Sequence, residues 1–306
     1  MQPFLYRMGY AIRGLMNNGC FSKNSEKSED FLFIVGCGRS GNTLLRRLLM
    51  ENFDIYLPPE TYVLPRQVNQ YCFSAHLKWS EKVDAILSML ENHPEFETFG
   101  VESVSEFKAS AKKWPVDRQS FLDLIEGLYK WLGEKNNVPS TWLGDKTPLN
   151  TLRLGLLHRG FPKSKFIFLE RDPVDVVQSY LEAGLYQNAE DAADRWLRSL
   201  KSWRSFRKLK PGKDLLELRY EDLVADPVAA LEKIGNQFCI PERNAERKFE
   251  PIALGDVGSR QHHSNVQNAP STTSIGKGRT SISADNLRSV RKVLGSLPQG
   301  RGYQKI

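Results

Sequence analysis

Eight consecutive residues carry the densest chemistry in the chain: Gly36-Cys37-Gly38-Arg39-Ser40-Gly41-Asn42-Thr43. Their spacing is that of a phosphate loop. Glycines permit a tight turn, and backbone N–H groups at the start of the following helix can cradle an oxyanion. The lysine that such a loop uses against the terminal phosphates of ATP or GTP is replaced by Asn42, while Arg39 places a cation inside the loop.

The elements needed to hold these groups are legible around them. Phe31–Val35 is a continuous apolar run, which reads as a strand buried on both faces, and Leu44, Leu45, Leu48 and Leu49 stripe the helix after the loop. Phe166–Leu169 predicts a second strand, and Pro173 fits the first turn of the helix that follows. Leu215–Leu218 predicts a third, leading through Tyr220-Glu221-Asp222 toward a helix around Val228–Phe238. The 130 or so residues between the first two units read as helical, with amphipathic stretches at Lys82–Leu90 and Phe121–Leu132, as do residues 190–209. Gly255 to Arg279 reads as a long loop, and a last helix is expected from an N-cap at Ser283 to Leu294. The fold class expected is α/β: a P-loop-like parallel sheet flanked by helices on both faces, with a helical insertion and ligands at the carboxyl ends of the strands.

Composition narrows the function classes. The 306 residues are 40% hydrophobic and 26% charged, ordinary for a globular chain able to bury a core without staples. A net charge of +7 fits an anionic ligand such as a nucleotide and does not by itself argue for nucleic acid. The four cysteines show neither CxxC nor zinc-ligand spacing, so no metal site is expected, and their usage points to a cytoplasmic protein. The longest apolar run falls far short of the roughly 20 residues of a membrane helix. Residues 4–16 read as a short amphipathic helix, more simply docked on the domain than lying on a membrane, with a polar linker from Asn17 to Asp30. The expected organisation is this N-terminal segment over 1–30 and one α/β domain over 31–306.

The loop GRSGNT resembles the 5′-phosphosulfate loop of sulfotransferases that use 3′-phosphoadenosine 5′-phosphosulfate (PAPS), commonly RSGTT, and the Arg171–Ser179 spacing resembles their 3′-phosphate motif. Asp145-Lys146-Thr147-Pro148 resembles the family's DKTP segment, Arg219-Tyr220-Glu221-Asp222-Leu223 its RYEDL segment near adenine, and Ile275-Gly276-Lys277-Gly278-Arg279 its basic loop over the 3′-phosphate. Pro59-Glu60-Thr61-Tyr62-Val63-Leu64-Pro65-Arg66 is similar to the EETRVIPR segment of the tyrosylprotein branch, with Glu60 at the interval from Arg39 of that branch's catalytic glutamate.

The resemblance implies PAPS as donor, with Gly38, Arg39, Ser40, Gly41, Asn42, Thr43, Arg171, Ser179, Tyr220, Lys277 and Arg279 around it. It implies catalysis by Glu60, Arg39 and Lys146. Sulfuryl transfer needs a base for the acceptor hydroxyl proton and cations for the charge on the departing phosphate, which suits a carboxylate, a guanidinium and an ammonium. Glycan, lipid-linked sugar and peptide tyrosine stay open as hydroxyl-bearing acceptors. Tyr62 stands where the tyrosylprotein branch has the arginine that handles acidic peptides, and a lipid-linked acceptor would give the N-terminal helix a membrane to meet. Two other classes compete: a P-loop small-molecule kinase, with Asp145 as its metal-binding acid, and a non-catalytic nucleotide-binding relative. His158, His262 and His263 are left out as bases, because His158 falls on an expected surface helix and the other two in the long loop.

Overall fold

The computed structural model describes residues 31–244, 255 and 268–295; the N-terminal amphipathic segment, His262 and His263 lie outside them. Five strands, β1 (Phe31–Gly36), β2 (Ile55–Tyr56), β3 (Trp142–Lys146), β4 (Lys165–Glu170) and β5 (Leu215–Arg219), form one parallel sheet in the order β2-β3-β1-β4-β5. β1 sits at its centre, with Ile34 opposite both Lys146 of β3 and Ile167 of β4. Each position of β1 is fully buried, as expected of a strand covered on both faces.

Helices cover the two faces: α1 (Asn42–Asn52), α2 (Leu64–Phe73), α3 (Trp79–Glu91), α4 (Ser105–Ala111), α5 (Phe121–Lys135), α6 (Leu154–Gly160), α7 (Pro173–Glu182), α8 (Ala189–Leu209), α9 (Tyr220–Ala225), α10 (Pro227–Phe238), α11 (Lys277–Ser281) and α12 (Ala284–Leu294). α8 turns Trp196, Leu200 and Trp203 inward, and Trp203 stacks flat on Phe168 of β4, rings 5.0 Å apart and 7° from parallel. No helix among the described residues is long and apolar enough to cross a membrane.

Three expectations change. The sheet has five strands where apolar runs mark three, because β3 ends in Asp145 and Lys146 and β2 has two residues. The segment at Tyr220 is a short helix of its own, separated from α10 by Asp226, which caps α10 by accepting from the Ala229 N–H. The segment read as loop up to Arg279 is already helical from Lys277, as α11. The last helix starts as expected, with the Ser283 hydroxyl accepting from the Asn286 N–H.

From β1 the chain passes to β2 and β3 on one side and then crosses to β4 and β5 on the other, so a crevice opens at the carboxyl edge beside β1. The phosphate loop follows β1, Lys146 ends β3, Arg171 follows β4 and Tyr220 follows β5. One edge of the sheet thus gathers motifs spread over more than 180 positions of sequence.

Candidate active site

The loop is built to keep its backbone close to a ligand. Arg39 and Gly41 adopt left-handed backbone, φ 65° and 91°. For Arg39 that is a strained conformation, of the kind stored at functional sites. A Cβ on Gly38 would stand 2.4 Å from the Tyr180 hydroxyl oxygen, and one on Gly41 2.4 Å from the Tyr220 ring, so neither position admits a side chain without displacing a tyrosine. Asn42 turns inward: its Nδ2 donates to the Cys37 carbonyl at 2.7 Å and braces the loop. The thiol of Cys37 faces Tyr180 in a buried setting that pushes its pKa up, so it stays protonated and inert.

Arg39, Arg171 and Ser179 come together. Arg39 Nε donates to Ser179 Oγ at 3.1 Å, and Arg171 Nη1 donates to the Arg39 carbonyl at 3.2 Å. Burial, with Arg171 nearby, holds the Arg39 guanidinium below the usual arginine range, and it remains a cation at neutral pH. Arg171 also lies over the Tyr220 ring, 4.3 Å from its centroid, and its Nη2 donates to the Ser274 carbonyl at 2.8 Å. Tyr220 and Ser274 share a hydroxyl hydrogen bond of 2.6 Å.

Two further residues, which the motifs did not single out, fix the C-terminal basic segment on this assembly. The Asp175 carboxylate accepts from the N–H groups of Gly276 and Gly278 at 2.8 and 2.7 Å. A Cβ on Gly278 would sit 2.6 Å from Asp175 Cα, so only glycine allows α11 to approach α7 this closely. Arg279 is placed on Asp172, the N-cap of α7, at 2.7 Å, and does not line the cleft. Lys277 does line it, with its ammonium 3.9 Å from Glu182.

On the other side, the Lys146 ammonium is fully buried and donates to Glu60 Oε1 at 2.6 Å and to Thr43 Oγ1 at 3.2 Å. Glu60 and Thr43 line the cleft; Lys146 stands just behind them. Asp145 has a different task from the metal-binding acid of a kinase. It is fully buried and accepts from Thr61 Oγ1 at 2.7 Å, Tyr129 Oη at 2.9 Å and Asn150 Nδ2 at 2.7 Å. Burial pushes its carboxyl up from the usual range. Thr61 also donates its N–H to Thr147 Oγ1 at 3.0 Å, so the residue next to Glu60 is tied both to β3 and to the residue that follows it. The sequence holds no signal for these ties, beyond Thr61 lying beside Glu60 and Asp145 beside Lys146.

These residues open on one cleft of about 800 Å³, which reaches from the loop and α11 to Tyr62, Leu149, Leu185 and Tyr186. It suits a phosphorylated nucleotide. Arg39, Arg171 and Lys277 line it with positive charge. Two buried groups beside it, Arg171 Nε and Ser40 Oγ, have no hydrogen-bond partner, and donors so placed are costly unless an acceptor arrives. Ser40 itself is fully buried below the cleft surface. Among the described residues no group of three or more His, Cys, Asp or Glu is arranged to hold a metal ion.

The model of the sulfotransferase family matches residues 31–243. Protein-tyrosine sulfotransferase 2 of Gallus gallus is 24% identical over 283 residues, covering 89% of this chain and 65% of that protein. Omega-hydroxy-beta-dihydromenaquinone-9 sulfotransferase Stf3 of Mycobacterium tuberculosis is 35% identical over 241 residues, 66% of this chain and 61% of that protein. The chain therefore spans a little under two thirds of the length of these relatives. The sulfotransferase domain of the Synechococcus PCC 7002 olefin synthase has the same fold, with a TM-score of 0.53 at 21% identity over 89% of this chain and 96% of that one.

Proposed function

Because the chain belongs to the sulfotransferase family, we propose that it moves a sulfuryl group from PAPS to the hydroxyl of an acceptor by in-line displacement. The observation that carries this reading is the Lys146–Glu60 contact at the rim of a phosphate loop whose own lysine position is occupied by the bracing Asn42. A loop of that kind grips an oxyanion without the lysine that ATP and GTP enzymes direct at the terminal phosphates.

In this reading the residues divide into two groups. Gly38, Arg39, Ser40, Gly41, Asn42 and Thr43 surround the 5′-phosphosulfate. Arg171, Ser179 and Lys277 meet the 3′-phosphate, Tyr220 borders the adenine, and Arg279 acts at one remove by holding Asp172. Bound there, the donor supplies an electrophilic sulfur and a phosphate leaving group. Glu60 takes the proton of the acceptor hydroxyl, Lys146 holds Glu60 in place, and Arg39 and Lys146 meet the negative charge that develops on the loop side. Such chemistry rests on positioning and electrostatics, as phosphoryl transfer does.

The kinase reading loses its acid, since Asp145 is committed to Thr61, Tyr129 and Asn150. A purely nucleotide-binding role would have no use for Glu60 at the cleft surface beside Lys146.

Thermal unfolding with adenosine 3′,5′-bisphosphate, ATP and 5′-AMP tests the donor assignment. Ligand at a hundredfold excess over its dissociation constant adds about 2.7 kcal/mol to the native state, a shift of roughly 5 °C for a chain of this size. The bisphosphate alone is expected to give that shift. A shift with ATP alone sinks the reading.

A further inference from the structure

The names of the two relatives point to unlike acceptors, a peptide tyrosine and a lipid alcohol, and the acceptor end of this cleft has its own character. Leu149 is 51% exposed and Leu185 50% exposed, and both line the same cleft as Glu60. A single exposed leucine needs no explanation. Two in one cleft, joined in its lining by Pro148, Tyr62 and Tyr186, give that cleft an apolar share beyond its charged groups.

Each leucine is placed there by backbone that also serves the site. Leu149 follows Lys146 by three positions, at the start of the 3-10 turn Pro148–Arg153. Leu185 follows α7 through Gly184, whose φ of 65° makes the left-handed turn. The Leu185 N–H returns to the Tyr180 carbonyl at 3.1 Å and the Gly184 N–H to Leu181 at 3.0 Å. In this helix ending the residue after the glycine commonly packs back on the helix. Here it stands half exposed at the cleft.

Several polar groups of this lining are already engaged. Arg195, 5% exposed, donates to Ser199 Oγ at 3.0 Å and the Pro148 carbonyl at 3.2 Å, which fixes the turn that carries Leu149. Gln178 donates to Glu182 at 3.1 Å. Tyr62, the substitute for a basic residue, stacks on His93 with rings 4.9 Å apart and 12° from parallel. Its φ of 55° is strained for a bulky residue, so the surroundings hold this ring where it is. A polyhydroxylated sugar would have to compete with these bonds for Arg195, Gln178 and Glu182, and an acidic peptide would find a tyrosine and no cation at position 62.

Resting on the sulfuryl-transfer reading, we propose that the acceptor is a phenol or alcohol on an apolar body, which lies along Leu149, Leu185 and Tyr186 while its hydroxyl faces Glu60. The apolar wall serves as the specificity determinant, and recognition grows with the area of hydrocarbon the acceptor brings.

Calorimetric binding of phenol, 4-ethylphenol, 4-butylphenol and 4-hexylphenol to the full chain saturated with adenosine 3′,5′-bisphosphate tests this without requiring turnover. Affinity is expected to rise two- to fourfold per methylene, the upper figure being that for a fully buried CH₂. The double variant Leu149→Ser/Leu185→Ser, altered only at exposed positions, is expected to bind the bisphosphate normally and to lose most of the chain-length dependence. A flat series in the unaltered protein overturns the proposal, as does tighter binding of cellobiose or of a tyrosine peptide flanked by aspartates. A chain-length dependence retained in the double variant overturns the assignment of the wall. A steep series in a protein that transfers no sulfate upholds the apolar wall and removes the transferase reading instead.

Discussion

The Lys146 ammonium stands 2.6 Å from the Glu60 carboxylate, and the two residues reach each other from different elements, Lys146 from the end of the third strand and Glu60 from the loop beyond the second. The contact joins two requirements. On the sulfuryl-transfer reading it sets a second cation beside the loop that already carries Arg39, and a carboxylate where the acceptor proton would be taken. Thr43, which Lys146 also contacts at 3.2 Å, belongs to the loop itself, so one buried ammonium ties the phosphate loop to Glu60. Glu60 is held further by its neighbour Thr61, bonded to Asp145 and Thr147.

Glu60→Gln keeps the shape and most of the hydrogen bonding while it removes the proton acceptor. Turnover in this variant is expected to fall by a factor of about 10²–10⁴, the usual contribution of a positioned base. Affinity for adenosine 3′,5′-bisphosphate is expected to stay close to that of the parent, because Glu60 is assigned to the acceptor. Steady-state kinetics paired with a thermal-shift titration separates the two; a variant with parental kcat removes Glu60 from the chemistry.

Lys146→Met takes away the charge and fills nearly the same volume. Since Lys146 is fully enclosed, methionine restores packing and the protein is expected to fold. The loss of a fixed cation beside developing negative charge is expected to lower kcat by roughly 10²–10³. Circular dichroism and single-turnover measurements check this, and a loss confined to KM would reassign Lys146 to simple binding.

How far the site was legible depended on what buries each residue. β1 and β4 announce themselves because hydrocarbon fills both faces of the sheet there, and the Gly-rich loop needs only local spacing. β3 is hidden because Asp145 and Lys146 are buried by partners rather than by hydrophobicity: Thr61, Tyr129 and Asn150 for one, Glu60 and Thr43 for the other. The motifs place Arg171 and Ser179 together on one phosphate, whereas the folded chain joins them through Arg39, a relation set by the left-handed turn at position 39. Leu149 and Leu185 carry no mark in the sequence that distinguishes them from core leucines. Their exposure follows from a turn and a helix ending that only the tertiary structure places at the cleft.

Arg171→Lys tests the donor side. Lysine keeps the charge but has neither the planar fork that donates to Arg39 and Ser274 nor the flat face laid over Tyr220. A lost hydrogen bond to a charged group is worth roughly 1.5–3 kcal/mol, so affinity for adenosine 3′,5′-bisphosphate is expected to fall about ten- to a hundredfold. Affinity for 5′-AMP, which lacks the 3′-phosphate, is expected to change little. Equal losses for the two nucleotides would move Arg171 away from the 3′-phosphate.

Asp145→Asn probes the buried tie behind Glu60. The carboxylate takes three donors, whereas an amide presents one oxygen and an NH₂ group that must face a donor, at a cost of about 1–3 kcal/mol for an unsatisfied buried group. The cost should depend on pH with a defined sign. Burial raises the Asp145 pKa in the folded chain above its ordinary value of about 3.9, so between those two values the native state binds more protons than the unfolded one. Stability from this group is therefore full below about pH 4 and is lost as pH rises through the folded value. Asparagine does not titrate. The destabilisation by Asp145→Asn is thus expected to be largest at low pH and to shrink as pH rises, which urea unfolding of both proteins from pH 4 to pH 7.5 measures directly. A penalty that grows with pH would mean that the three donors outweigh burial and that Asp145 is held as an anion.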